Sequence, residues 1–441
     1  MDKIEFIKEI TRSNPWWQTG KVDLDKNLIE RDIYEEIKET MKKQEICAIT
    51  GLRQVGKTTI MMQSIDYLIK KGINPKRIFY FSFDDPYIYK EERIINYLID
   101  TYLETQLEES LIELKDTVYI FFDETQHIEN WSTQIKNFYD KTKKLKFVIS
   151  GSSSMYLLKG AGESLVGRIS LKKLHPFSFH EFLKYNKINI ESPELNISTL
   201  NKSSKKLNSV LINSEKLKIY FNKYFKFGGF AGTYDDEKHL KEKLKTIIYL
   251  TFYRDILNLF EVKRIDVLES LFVYFVKNTS NIINFDNLTK LYGIKHETLK
   301  TYISYLNTSY LIEKSYAFSD SKHIKKNPKI YISDISFEAL HPVDAGFKAE
   351  TIVYNYLNRF FDLSYWRNKK EQEIDVIVNN EKIIPIEVKY KNRIQNKELE
   401  NMRTFMKEYN CDFGIIVTRD IFEFKDNLYF IPVWLFLLIK F

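Results

Sequence analysis

With 441 residues the chain is too long for one compact core, so two to three domains are expected, and a hydrophobic content of 44% is ample to fill them. The 67 basic and 60 acidic residues leave a net charge of +7, a mild excess that does not by itself argue for nucleic acid. Two cysteines without metal-ligand spacing (Cys47 and Cys411), an N-terminus (MDKIEFIKEI) without a signal-peptide core and apolar runs well short of the ~20 residues that span a bilayer argue against a disulfide scaffold and a membrane span; a cytoplasmic protein is expected.

The first element with chemical content is the apolar run Ile46 to Thr50, which reads as a buried strand. It is followed by Gly51 to Thr59, GLRQVGKTT, which fits the phosphate-loop pattern G-x-x-x-x-G-K-[ST]. Gly51 and Gly56 let the backbone fold tightly enough for successive N–H groups to point at phosphate oxygens. Lys57 neutralises the terminal phosphates, Thr58 offers a hydroxyl to Mg²⁺, and Thr59 completes the binding loop. From Thr58 the sequence TTIMMQSIDYLIKK has helical periodicity, so the anion lies at a helix N-terminus, where the dipole favours it.

Arg77 to Ser82 (RIFYFS) is a second strand, ended by Asp84, Asp85 and Pro86. Val118 to Phe122 (VYIFF) is a continuous hydrophobic strand that runs into Asp123 and Glu124. An acid at that edge reaches Mg²⁺ through its water shell, and Glu124 is then set to orient or deprotonate the attacking water. Two acids after a strand also suit a helix start, but the loop upstream favours the nucleotide reading. Phe147 to Ser150 (FVIS) leads into Gly151, Ser152, Ser153 and Ser154. Ser152 or Ser153 is positioned to contact the γ-phosphate, although serines after a strand are also ordinary turn chemistry. An extra strand between the loop strand and the acidic strand is the pattern of ATPases that carry a catalytic glutamate.

Several segments together resemble the prokaryotic AAA+ ATPases, common in archaea, that pair an ATPase core with a C-terminal domain of unassigned function. They are Asn14-Pro15-Trp16-Trp17, GLRQVGKTT, FFDETQHIENW (Phe121 to Trp131), ISGSSS (Ile149 to Ser154), LVGRI (Leu165 to Ile169), LHPFSFHEFL (Leu174 to Leu183), FGGF (Phe227 to Phe230) and YRDIL (Tyr253 to Leu257). One small departure is Ala231, where proline usually follows GGF. The resemblance implies ATP rather than GTP. It also makes Arg168 a source of a guanidinium for the γ-phosphate, in cis or from a neighbouring subunit of a homo-oligomer. A surface ion pair is the plainer role for Arg168, and Arg53 and Arg254 are rivals.

An α/β architecture in four parts is expected: an ATPase core with an N-terminal extension over 1–185, an Asn/Ser/Lys-rich linker and helical lid over 186–260, a winged helix-turn-helix over 261–340, and a last α/β domain over 341–441. In the third part the helix from about Lys295 to Thr308 is the one that would enter a DNA major groove, with Lys322, Lys325, Lys326 and Lys329 on a wing against phosphates. A spacer or interaction module is the alternative. In the fourth part Glu373 to Val378 and Ile383 to Lys389 form two strands joined by a turn, and Asp375 with Glu387-x-Lys389 resembles the PD-(D/E)XK nuclease motif. Glu350, on the helix FKAETIVYNYL, falls where that fold often contributes another acid. The resemblance implies that Glu350, Asp375 and Glu387 hold Mg²⁺ while Lys389 polarises the nucleophile; a catalytically silent scaffold stays open. The partner expected is DNA.

Overall fold

A computed structural model describes residues 3–84, 93–152, 165, 167–189, 210–234, 236–318, 327–380 and 382–439. Ser153, Lys322, Lys325 and Lys326, and most of the expected linker, lie outside these residues. The chain divides into two compact units, Met1–His175 and Pro176–Phe441.

The first unit is built on a five-stranded parallel sheet of order β2-β3-β4-β1-β5, comprising β1 (Ile46–Thr50), β2 (Ile78–Ser82), β3 (Val118–Asp123), β4 (Leu145–Gly151) and β5 (Ile169–Lys173). All five residues of β1 are buried, as a strand covered on both faces requires, which explains its unbroken apolar run. β4 lies between β1 and β3 and pairs Ser150 with Ile49. The loop strand and the acidic strand are therefore one strand apart and end on the same side.

β2 is an edge strand whose open backbone needs partners. Asn14 supplies them as a peptide would: its Nδ2 donates to Tyr80 O at 2.9 Å and its Oδ1 accepts from Tyr80 N–H at 2.7 Å. The indole N–H groups of Trp16 and Trp17 both donate to Ile78 O, at 3.0 and 2.8 Å. The Asn-Pro-Trp-Trp segment is thus an edge cover.

The second unit opens with the helix Phe179–Tyr185, begun by a reciprocal cap: Ser178 Oγ accepts from Glu181 N–H at 3.0 Å and Glu181 Oε2 accepts from Ser178 N–H at 2.8 Å. Phe179 and Phe182 pack on Phe221 and Tyr224 of the helix Ser214–Phe227. Aromatic packing thus assigns this helix to the second unit, ten residues before the boundary expected at 185. The FGGF segment joins the same cluster: Phe177 N–H donates to Gly229 O at 2.8 Å, and a Cβ on Gly229 would lie 2.6 Å from Phe177 O.

Beyond it, the helices Ile265–Lys277, Phe285–Tyr292 and His296–Thr308 precede a hairpin of β7 (Ile312–Ala317) and β8 (Lys329–Ile332), with the two-residue β6 (Asn281–Ile282) on its far edge. Gly293, at φ 62°, ends the second helix and turns the chain into the third. The helix Ala345–Leu357 comes next, then an antiparallel meander of β9 (Leu363–Arg367), β10 (Glu373–Asn379) and β11 (Ile383–Lys389). The helix Glu400–Glu408 crosses to β12 (Gly414–Thr418), parallel to β11, and β13 (Glu423–Lys425) and β14 (Leu428–Pro432) complete the sheet.

The expected boundary at 340 does not separate two bodies. β7 pairs in parallel with β9, Tyr316 against Ser364 and Ala317 against Tyr365, so one nine-stranded sheet runs from β13 to β6. Among the described residues no helix is long and apolar enough to cross a membrane.

Candidate functional site

The phosphate loop connects β1 to the helix Lys57–Lys70, and Gly56 precedes that helix at φ 101°, a conformation that suits glycine. Gly51 is required for space as well: a Cβ there would lie 2.3 Å from Leu174 O, because Leu174 N–H donates to Thr50 O at 2.7 Å. Lys57 is 5% exposed, and its ammonium donates to Gly51 O and Leu52 O at 3.1 and 3.3 Å. Thr58 and Thr59 lie in the first turn of the helix. Arg31, buried, braces the loop by donating to Val55 O at 2.8 Å and His175 O at 2.5 Å.

At the facing strand ends Thr58 Oγ1 donates to Asp123 Oδ2 at 2.5 Å, and Tyr80 Oη donates to the same oxygen at 3.1 Å. Ser150 Oγ donates to Asp123 Oδ1 and accepts from Glu124 N–H at 3.0 Å. Glu124 has φ 54°, an uncommon backbone for glutamate that turns its side chain away from the strand and toward Lys57, whose Nζ is 3.8 Å away. Burial pushes the Glu124 carboxyl up, but the Lys57 ammonium and a hydrogen bond from Gln126 Nε2 hold it below the usual range. Gln126 Nε2 also donates to Ser152 Oγ at 3.2 Å, so the glutamate and the residue after β4 share one donor.

These contacts bring Gly51, Gly56, Lys57, Thr58, Asp123, Glu124 and Ser152 to one end of the sheet. A Mg²⁺–nucleotide fits the set: a hydroxyl and a carboxylate 2.5 Å apart suit a hard cation that keeps most of its waters, beside a glycine loop with its own ammonium. Sequence reasoning missed Ser150, Gln126, Tyr80 and Arg31. Ser150 and Tyr80 acquire their roles only once β2 and β4 flank β3, which no local pattern reveals.

Arg168 is elsewhere. Its carbonyl accepts from Ile46 N–H at 2.8 Å, at the start of β1, so the five-residue strand, roughly 13 Å long, separates it from the loop. Its guanidinium lies 3.1 Å from Asp140 and over the Tyr139 ring. The cis alternative is corrected: in this fold Arg168 faces away from its own phosphate loop. Arg254 lies on the helical turn Thr251–Ile256 of the second unit.

In the last domain Glu350, Asp375, Glu387 and Lys389 do come together, but with a second lysine between Glu350 and Asp375. Lys329, expected on an exposed wing, is 2% exposed, with Nζ 2.7 Å from Glu350, 2.8 Å from Glu373 and 3.3 Å from Asp375. The reason is alternation: Lys329 and Tyr331 share one face of β8, and Tyr331 Oη donates to Glu350 Oε1 at 2.9 Å. Asp375 N–H donates to Glu387 Oε2 at 3.3 Å, Val388 N–H donates to Asp375 Oδ2 at 2.8 Å, and Lys389 Nζ is 2.5 Å from Glu387. Burial and then Asp375 push the Glu350 carboxyl up to about 7, and the same two causes raise Glu387. Among the described residues no group of three or more Asp, Glu, His or Cys is disposed to hold a metal ion. The Mg²⁺ set expected of Glu350, Asp375 and Glu387 is not assembled among the described residues: the Lys329 ammonium stands between Glu350 and Asp375, and Glu387 pairs with Lys389.

On the helix His296–Thr308 the outward residues Lys300 and His296 pair with Glu297 at 3.2 Å and Asp286 at 2.8 Å, while Leu299, Tyr302, Ile303 and Leu306 are buried.

Residues 43–183 match the AAA domain family, 219–341 a domain of unknown function (DUF8612) and 345–436 another (DUF4143). The uncharacterized protein MJ1544 of Methanocaldococcus jannaschii is 31% identical over 386 residues, covering 85% of this chain and 80% of that protein. MJ1637 of the same organism is 26% identical over 418 residues, 90% of this chain and 85% of its own. Among solved structures the Walker-type ATPase PABY2304 of Pyrococcus abyssi aligns with a TM-score of 0.35 at 13% identity, over 73% of this chain and 97% of that one.

Proposed function

Because this chain belongs to the family of MJ1544 and carries an AAA domain, we propose that it binds and hydrolyses ATP and that its nucleotide state governs how the second unit engages DNA. The observation that carries the first half is the convergence of Lys57, Thr58, Asp123 and Glu124 at one end of a parallel sheet. The loop backbone and Lys57 bind the phosphates, and Thr58 and Asp123 together present the hydroxyl and carboxylate that a hydrated cation needs. Bound Mg²⁺ would neutralise charge on the phosphate oxygens. Glu124, poised within reach of Lys57 and held by Gln126, takes a proton from water as general base. Ser152 reads the γ-phosphate and passes its state to Glu124 through their shared donor. Arg168 serves a neighbouring subunit, since its own loop lies a strand length away.

For the second half, the helix-turn-helix order of residues 265–308 supports a DNA partner. Of the two roles open to the last domain, metal-dependent cleavage and recognition without bond breaking, the Lys329 ammonium favours recognition. The test has two parts. Lys57→Ala is expected to abolish ATP hydrolysis. Labelled DNA with purified protein, Mn²⁺ and ATP should stay intact yet be bound with an affinity that differs between a slowly hydrolysed ATP analogue and ADP. Cleavage that disappears in Asp375→Ala would replace this reading with a nuclease.

A further inference from the structure

We propose that Lys329 is a built-in counter-cation: it closes the carboxylate cluster of the last domain to divalent metal and makes that cluster the joint between the β7–β8 hairpin and the domain. The inference is independent of ATP hydrolysis, whose failure would leave it standing.

The geometry accounts for the protons of the ammonium. An ammonium has three N–H groups and no acceptor, and here three carboxylates surround it, Glu350 at 2.7 Å, Glu373 at 2.8 Å and Asp375 at 3.3 Å. A divalent cation held by the same oxygens would need them at about 2.0–2.6 Å, in the space the nitrogen fills. The fourth acid, Glu387, is engaged by Lys389 and by the Asp375 N–H. Burial works against a charged Lys329, but the carboxylates of Glu350, Asp375 and Glu373 outweigh it and keep the amine protonated. Breaking one member of such a buried set costs far more than forming it gains, so the ammonium is a fixed part of the fold.

The lysine comes from a different segment of the chain than its partners. Lys329 and Tyr331 belong to β8, within the stretch that matches one family, and the carboxylates belong to the stretch that matches another. Contacts of the same kind surround it: Tyr331 stacks on Tyr354 with ring centroids 3.7 Å apart, Thr279 and Thr351 hydroxyls lie 2.9 Å apart, and Asn355 Nδ2 donates to Ile332 O at 2.9 Å. The acids that a metal enzyme would use to hold its ion here hold a neighbouring hairpin.

The test counts Mn²⁺ bound to the full chain without nucleotide, from the loss of the free-ion paramagnetic resonance signal. The phosphate loop contributes equally to every variant and cancels. Wild type and Asp375→Asn should bind the same number of ions; one fewer in Asp375→Asn would overturn the proposal. Lys329→Met should gain one equivalent that the Lys329→Met/Asp375→Asn protein loses again. A folded Lys329→Met protein that gains none would overturn the role of the ammonium. Should Lys329→Met not fold, the comparison of wild type with Asp375→Asn decides alone.

Discussion

Gln126 is 2% exposed, and its Nε2 bridges Glu124 and Ser152 while its Oε1, also buried, has no hydrogen-bond partner among the described residues. An unpaired buried carbonyl is costly and persists where the other end of the amide is needed. Its removal should affect chemistry more than binding. Gln126→Leu is expected to lower kcat roughly 10- to 100-fold, the scale set by a misplaced base, with little change in ATP affinity. Loss of the donor also removes one of the contacts that, with Lys57 first among them, hold the Glu124 carboxyl low against burial. The acid limb of the kcat–pH profile should therefore move to higher pH; an unmoved limb would make Gln126 a packing residue only. The sequence disclosed Lys57, Thr58, Asp123 and Glu124 because each has a fixed offset from a glycine loop or a hydrophobic strand end. Gln126 and Ser150 have none, and their roles emerge from strand order.

Among the elements, β2 shows how a short segment protects an edge. Asn14 is fully buried and pairs both backbone groups of Tyr80, and Asn14→Ala would leave that N–H and C=O unpaired. A loss of about 2–3 kcal/mol is expected, read as a lower urea midpoint with an unchanged slope, together with faster aggregation from the uncovered edge. A midpoint within error of wild type would mean water satisfies Tyr80 equally well. Four of the five parallel strands were legible because both-face burial writes continuous apolar runs, and the hairpin β10–β11 because its acids alternate with hydrophobics; β5, with the half-exposed sequence ISLKK, carries no such run. The pairing of β7 with β9 was not legible: it involves two residues on each strand, far apart in the chain. Lys329 misleads for a related reason, since a lysine at the start of a strand looks like a solvent-exposed wing until its partners, 21 to 46 residues later, are in place.

For the chain as an assembly, the position of Arg168 leaves only a neighbouring copy's phosphate loop for it to serve. A guanidinium at the start of β5 cannot serve the loop at the end of β1, yet it lies on a sheet edge, where a second copy can reach it. Arg168→Ala should reduce ATP hydrolysis, by up to ~10³-fold if it acts as a finger, and specific activity should rise with protein concentration. Mixing Lys57→Ala with Arg168→Ala protein is the decisive experiment. Subunits that keep the loop can borrow the arginine of subunits that lack it, so activity should recover in the mixture. Two inactive proteins that stay inactive together would return Arg168 to its ion pair with Asp140.

The shared sheet of the second unit bears on inheritance. Family boundaries near residues 341 and 345 fall where the chain is continuous but the hydrogen bonding is too: severing there would strip β9 of one of its two neighbours and take from Glu350, Glu373 and Asp375 the ammonium they share. Exchanging the last hundred residues for another domain while keeping the hairpin would break the β7–β9 pairing and the Lys329 ion pairs together. The two stretches are separable as text and joined as matter.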